Sequence, residues 1–261
     1  MALFSNVGGP DDEVARWRAR GDAIVDVARG MAKGGPSPRA RPFFDLDHRS
    51  GTPLVAVEDL ATRGIFRKYE HVLDLGGGLG ATTRYLTSRL GCTATATAAS
   101  RAEAATARML TARAGLDWQV FHVAADATRL PFAEAAFTHV WVLDVLPALG
   151  PSAAVLAEAF RVLRPGGHLG VQDLSLRHDD PTLAAGGFVD ERRRASELAH
   201  AGFLEVVLRR VDAPYAPERT AWERLTAKLG ADDALVRDRS TLQAGVERGA
   251  LALVQLTARR P

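Results

Sequence analysis

The residues best placed to do chemistry stand in one run, His71-Val72-Leu73-Asp74-Leu75-Gly76-Gly77-Gly78-Leu79-Gly80, where an apolar strand meets glycines and then a helix. Glycine suits such a turn because the backbone bends sharply and a ligand can approach it without meeting a Cβ. Dinucleotide-binding folds use the same spacing, so the glycines alone do not choose a ligand. Asp74 adds the discrimination. A carboxylate two residues before the first glycine repels a pyrophosphate and attracts a cationic group such as an ammonium. The competing reading is a plain tight turn with a capping aspartate and no ligand.

Two further residues are candidates for catalysis. His48 lies in Asp47-His48-Arg49-Ser50-Gly51, next to Phe43 and Phe44; there it could roof a pocket and titrate near neutrality as a general base, or simply pack. Asp144 ends an apolar run and could face a substrate, or sit in a solvated turn. His71, His122, His139 and His168 fall in or beside predicted strands, where a structural role is the expectation. Tyr215 and Trp222 could line an acceptor pocket, although aromatics at such places are more often core. No cluster of His, Asp or Glu has persuasive metal-ligand spacing, so no metal-binding residue is named and metal dependence is not legible.

The elements that must position these residues are legible as a pattern. Apolar runs at 71–75, 92–98, 118–124, 137–143 and 168–172 alternate with helical stretches at about 80–90, 101–114 and 152–163. Strands separated by helix-length segments imply βαβ units with right-handed crossovers, hence a doubly wound α/β fold with a mostly parallel sheet. Leu163-Arg164-Pro165-Gly166-Gly167 reads as the end of a helix and a turn into the next strand. A helix at about 188–201, an apolar stretch Phe203 to Val211, a helical excursion at about 213–249 and a last strand at Ala250 to Thr257 complete the chain. Before the sheet, Val14, Trp17, Ile24, Val25, Val27 and Ala28 recur at helical spacing from Asp11 to Met31, and a second helix is expected from Pro53 to Ala61. Residues 1–65 are therefore read as a helical cap on a domain covering 66–261.

Composition bounds the setting. The 261 residues are 47% hydrophobic and 25% charged, enough for one sizeable core. Lys and Arg number 33 against 31 Asp and Glu, a near-balance that carries no nucleic-acid footprint. The single cysteine, Cys92, can form no internal disulfide and suits a reducing compartment. Asp11, Asp12 and Glu13 interrupt the start of the chain, unlike a signal peptide, and no apolar run reaches the ~20 residues that span a bilayer. A cytoplasmic protein with neither nucleic-acid nor membrane partners is expected; the oligomeric state is not legible.

Taken in order, Val72 to Gly80, Asp126 to Phe132, Phe137 to Leu146 and Leu163 to Gly167 resemble the successive motifs of class I S-adenosylmethionine-dependent methyltransferases. The resemblance covers roughly residues 42–173, and Asp47 to Gly51 with Gly80 to Leu86 is most similar to the branch acting on sarcosine, phosphoethanolamine and quinone or tocopherol precursors. It implies a Rossmann-like seven-stranded sheet whose last strand is antiparallel. It also implies S-adenosylmethionine as cofactor, with Asp74 and the backbone of Gly76 and Gly78 holding the methionine end. Asp126 matches the residue that bonds the adenine amine, with Ala127 beside it, although its simpler role is a turn cap. Arg129 to Phe132 match the wall beside the adenine, and Val142 to Asp144, with Leu143 at the centre, match the floor under the transferred methyl.

Two departures stand out. The family's second strand usually ends in an acid that accepts both ribose hydroxyls, and here that position is Ala98; water, Ser100 or Thr97 could compensate in part. After the fourth motif, polar residues are replaced by Leu146-Pro147-Ala148-Leu149, so Pro147 and its neighbours supply no base. Methyl transfer to a small organic acceptor by proximity and alignment is the leading expectation. The alternative is the same fold turned to lyase, hydrolase or cyclisation chemistry, or to a non-catalytic partner role. A nicotinamide-dependent dehydrogenase fits poorly, given Asp74 and Ala98.

Overall fold

The computed structural model describes residues 10–31, 43, 46–48, 53–63, 70–211 and 219–261. Tyr215, Phe44 and Arg49 lie outside the described residues.

Alternation along the strands sets what lies on each face of the sheet. The strands are β1 (His71–Asp74), β2 (Thr93–Ala98), β3 (Val120–Ala124), β4 (Phe137–Leu143), β5 (Leu163–Leu176), β6 (Leu204–Arg210) and β7 (Leu251–Arg259). They form one seven-stranded sheet in the order β3-β2-β1-β4-β5-β7-β6. β1 to β5 run parallel and the last strand is antiparallel, as expected; β7 inserts between β5 and β6. Leu73, Val140 and Val142 point to one face, where they meet Val155, Leu156 and Ala159 of α5 (Ser152–Val162) and Leu198 of α7 (Glu191–His200). Their neighbours Val72, Trp141 and Leu143 point to the other, against α2 (Leu54–Arg63) and α3 (Ala81–Leu90). Burial on both faces accounts for strands that read as nearly continuous apolar runs.

α1 (Pro10–Met31) packs beside the carboxyl ends of the first strands. Trp17, Ile24, Val25, Val27 and Ala28 share a core with Leu110 of α4 (Arg101–Arg113) and with Ala221, Trp222 and Leu225 of α8 (Arg219–Leu229). Trp222 is thus a core residue, with the Arg239 guanidinium 4.0 Å over its ring, while Val14 stays exposed. Arg20 pairs with Asp233 at 2.9 Å, and Asp233 also caps α9 (Ala234–Glu247) by accepting from the Leu235 amide.

Two local features depart from the sequence reading. β5 starts at Leu163 rather than His168: Leu163 already pairs with Phe137, and the register shifts before His139. The Pro-Gly-Gly segment is accommodated because Gly166 takes φ +73° and bonds the Arg260 carbonyl through its amide. The short α6 (Pro181–Ala185) was unforeseen; Asp180 caps it through the Thr182 and Leu183 amides, with proline in the first turn. Among the described residues, no helix is long and apolar enough to cross a membrane, and no group of His, Cys, Asp or Glu could hold a metal ion. Cys92 is buried.

Candidate functional site

A crevice of about 130 Å³ opens where β1, β2 and β4 end, with α1 and the segment around His48 along its rim. In open α/β sheets ligands bind outside the carboxyl ends of the strands, at the point where strand order reverses. Here β1 sits between β2 and β4, so the crevice lies at that switch point.

The turn after β1 forms its floor. Gly76, Gly78 and Gly80 take φ values of +79°, +54° and +84°. A Cβ on Gly76 would stand 2.8 Å from the Val145 side chain, and one on Gly77 would stand 2.7 Å from Asp74 Oδ2. β2 braces the turn: the Gly76 amide donates to Thr97 Oγ1 at 2.8 Å, and the Gly78 amide donates to the Thr97 carbonyl at 3.1 Å. Both amides are thereby engaged within the protein, so what these glycines present to the crevice is bare backbone. The Thr97 hydroxyl, one of the expected substitutes for the missing acid, is occupied by this task.

Asp74 lies under Gly77, almost fully buried. Burial pushes its carboxyl up to about 6, against the opposing hydrogen bond from Thr83, whose hydroxyl donates to Oδ2 at 2.6 Å. A buried carboxylate lacking a cation stores a cost that an arriving ammonium relieves.

His48 also borders the crevice. Its position follows from Asp47, which pairs with the fully buried Arg84; Arg84 also donates to the Leu79 carbonyl at 2.6 Å and to Thr111 Oγ1 at 3.2 Å. The expected titration near neutrality is not what the structure gives. Burial, helped by the Arg239 charge, lowers the His48 pKa to about 3, so the imidazole is neutral at physiological pH.

Asp144 follows β4 in a left-handed conformation, φ +58°, and lines the crevice with Leu143. Its amide donates to the Gln172 carbonyl at 2.7 Å, and its Oδ2 accepts from Gln172 Nε2 at 3.2 Å. Gln172 is held in turn by Gln255 Nε2 at 2.9 Å. Asp144 is therefore a buried, positioned side chain rather than a solvated turn residue. Val145, Ala148 and Leu149 give the same wall an apolar character.

The structure gathers Asp74, Gly76, Gly78, Leu143, Asp144 and His48 around one space and leaves Asp126 and Ala127 outside its lining. Asp126 is exposed and accepts from the Thr128 amide at 2.8 Å and hydroxyl at 2.7 Å, contacts that hold its carboxyl below the usual range. Ala127 is packed in the main core.

Trp17, Arg20 and Glu103 are among the crevice residues that escaped the sequence reading. Trp17 and Arg20 enter from α1, and the Trp17 indole nitrogen is buried with no hydrogen-bond partner among the described residues. Glu103, in the first turn of α4, is buried. Its Oε2 accepts from the Ala99 amide at 2.9 Å, and its Oε1 lies 3.3 Å from where a Cβ on Gly78 would be. The signal for Glu103 was present, since Ser100 and Glu103 form an S-x-x-E capping pattern.

Residues 73–171 match the family model described as a methyltransferase domain, and the sheet order and the glycine turn after β1 are of the Rossmann-like kind. Among curated proteins it is similar to Methyltransferase GfsG of Streptomyces halstedii, 30% identical over 150 residues that make up 54% of each chain. The matched region thus spans about half the length of that relative. Among solved structures, phosphoethanolamine N-methyltransferase 2 of Haemonchus contortus, in complex with phosphomonomethylethanolamine and S-adenosylhomocysteine, superposes with a TM-score of 0.66 at 16% identity, covering 80% of this chain and 54% of that one. The [4+2]-cyclase SpnF superposes with a TM-score of 0.68 at 20% identity over 100% of this chain and 99% of that one. At these identities the structural likenesses concern the fold.

Proposed function

We propose that the chain transfers a methyl group from S-adenosylmethionine to a small organic acceptor. The observation that carries this reading is Asp74, a buried carboxylate with a raised pKa tucked under bare glycine backbone at the switch point of the sheet. That arrangement suits a cationic amino-acid end, and the orphaned Trp17 indole N–H offers a donor to a ligand's acceptor group in the same crevice. The curated relatives' names, Methyltransferase GfsG among them, favour transfer over non-methylating chemistry.

In this reading the cofactor supplies an electrophilic sulfonium methyl. Asp74 holds the ammonium group, and Gly76 and Gly78 let the methionine backbone approach. Leu143 forms the floor under the reacting centre. Asp126 reaches the adenine amine once its carboxylate exchanges the Thr128 contacts for that donor, with Ala127 packed beside it. Asp144, fixed by Gln172, faces the acceptor and orients it. His48, held neutral, serves as a hydrogen-bonding group on the rim rather than as a store of protons. Proximity then carries most of the acceleration, which needs an acceptor that is a lone-pair nucleophile without a strong base beside it.

The acceptor is a partly hydrophobic small molecule, consistent with Trp17, Val145, Ala148, Leu149 and Leu235 around the crevice. Residues 1–65 act as a cap and the 213–249 segment as an insertion, together roofing a Rossmann-like domain in a cytoplasmic protein without nucleic-acid partners. Calorimetric titration with S-adenosylmethionine and with its demethylated product tests the core of the reading. Binding of both is expected, and no heat with either at millimolar concentration removes it.

A further inference from the structure

We infer that Glu103 replaces the acid missing at Ala98 and receives the ribose hydroxyls of the cofactor, an assignment that rests on the S-adenosylmethionine reading above. Ala98 ends β2 against the crevice with only a methyl group to offer. Asp74, Gly78, Ala98 and Glu103 line one crevice, so a ligand held at Asp74 whose sugar reached this end of β2 would bring hydroxyl donors that need acceptors there.

Among the substitutes nearby, the Thr97 hydroxyl already receives the Gly76 amide, and the Ser100 hydroxyl receives the Glu103 amide at 3.1 Å while capping α4. Ser100 is also absent from the crevice lining, whereas Glu103 is part of it. The Glu103 side chain folds back over the turn it follows. Its bond to the Ala99 amide fixes one oxygen above the end of β2, and the other oxygen stands over Gly78. The carboxylate therefore spans the gap between the glycine turn and β2. A carboxylate accepts several hydrogen bonds at once, so the Ala99 contact sets its place while the group keeps its acceptor character. A longer acid delivered from the first helical turn thus reaches the space that a shorter acid on the strand would fill. A carboxylate in the first helical turn also sits favourably at the positive end of the helix.

The test compares S-adenosylhomocysteine with its 2′-deoxyribose analogue by calorimetry on the full chain. The wild-type protein is expected to prefer the ribose form by about tenfold or more, the effect of one charge-assisted hydrogen bond. Glu103→Gln, which preserves the cap through its amide oxygen, is expected to weaken S-adenosylhomocysteine about tenfold and to lose most of the preference. Glu103→Asp keeps charge and cap but withdraws the oxygens from Gly78 by a methylene, and should behave alike. Adding Ala98→Asp to Glu103→Gln should restore both affinity and preference. Wild-type preference retained in both Glu103 variants overturns the assignment, as does a loss of affinity equal for the two probes, which marks a purely structural role. Failure of the wild-type protein to bind either probe overturns instead the cofactor reading beneath it, and shows before any variant is made.

Discussion

Single residues carry opposite pH signatures in this protein, and the signs separate their roles. His48 and His122 are both held near a pKa of about 3, by burial first and by neighbouring arginines second. Their folded pKa values lie below the unfolded one, so the stability they contribute is present above about 6.5 and is lost as pH falls toward 3. Asp74 runs the other way: burial raises it to about 6, so folding is favoured by its protonation and weakened as pH rises through about 4 to 6. The difference between a His48→Gln variant and the wild type isolates one contribution. Measured by urea unfolding, the variant should gain on the wild type by up to ~1.4 kcal/mol per pH unit as pH drops below about 6. A difference independent of pH would show that His48 titrates normally. Gly76→Ala belongs to the same scale. With φ at +79° and Val145 2.8 Å from the new methyl, it should cost about 1–3 kcal/mol in denaturant unfolding and weaken cofactor binding; wild-type stability would contradict the turn geometry. At this scale Asp74 was legible because its charge and distance from the glycines are linear properties of the sequence. Glu103 was not, because its carboxylate reaches the site by folding back from a helix whose capping pattern has an ordinary structural meaning.

At the scale of elements, α1 supplies both a core face and a wall of the crevice. Its hold on the C-terminal region runs through Arg20, which meets the same aspartate that caps α9. Arg20→Met keeps the alkyl packing and removes the charge, so it should cost about 1–3 kcal/mol in unfolding. It should also loosen ligand binding, since Trp17 and Arg20 border one space. Unchanged stability and affinity in that variant would mean that α1 is held by apolar contacts alone. The helix itself was legible from the spacing of Trp17, Ile24 and Val27, whereas its partner Asp233, 213 residues away, was not, because side-chain pairing across such distances leaves no periodic trace. The strands were legible for the same reason as α1. The start of β5 was misread because Pro165, Gly166 and Gly167 are ordinary turn residues, and here they form the irregularity between Leu163 and His168, where backbone hydrogen bonds join Gly166 and Gly167 to Arg260. The five-residue α6 is too short to show a period, and only its cap at Asp180 announced it.

For the whole molecule, the order β3-β2-β1-β4-β5-β7-β6 places a crevice beside β1. The counts of 33 basic and 31 acidic residues nearly cancel, so net charge does little to choose a ligand. What selects a ligand is therefore local, and Asp74 is the local charge on which the account turns. The most direct measurement is the affinity for S-adenosylhomocysteine as a function of pH in the wild type and in Asp74→Asn. If an ionised Asp74 receives the ammonium group, wild-type affinity should strengthen by about tenfold per unit as pH rises toward about 6 and then level off. The Asn variant should bind more weakly and without that slope. Equal affinity in the two proteins, flat across the same range, would contradict the account.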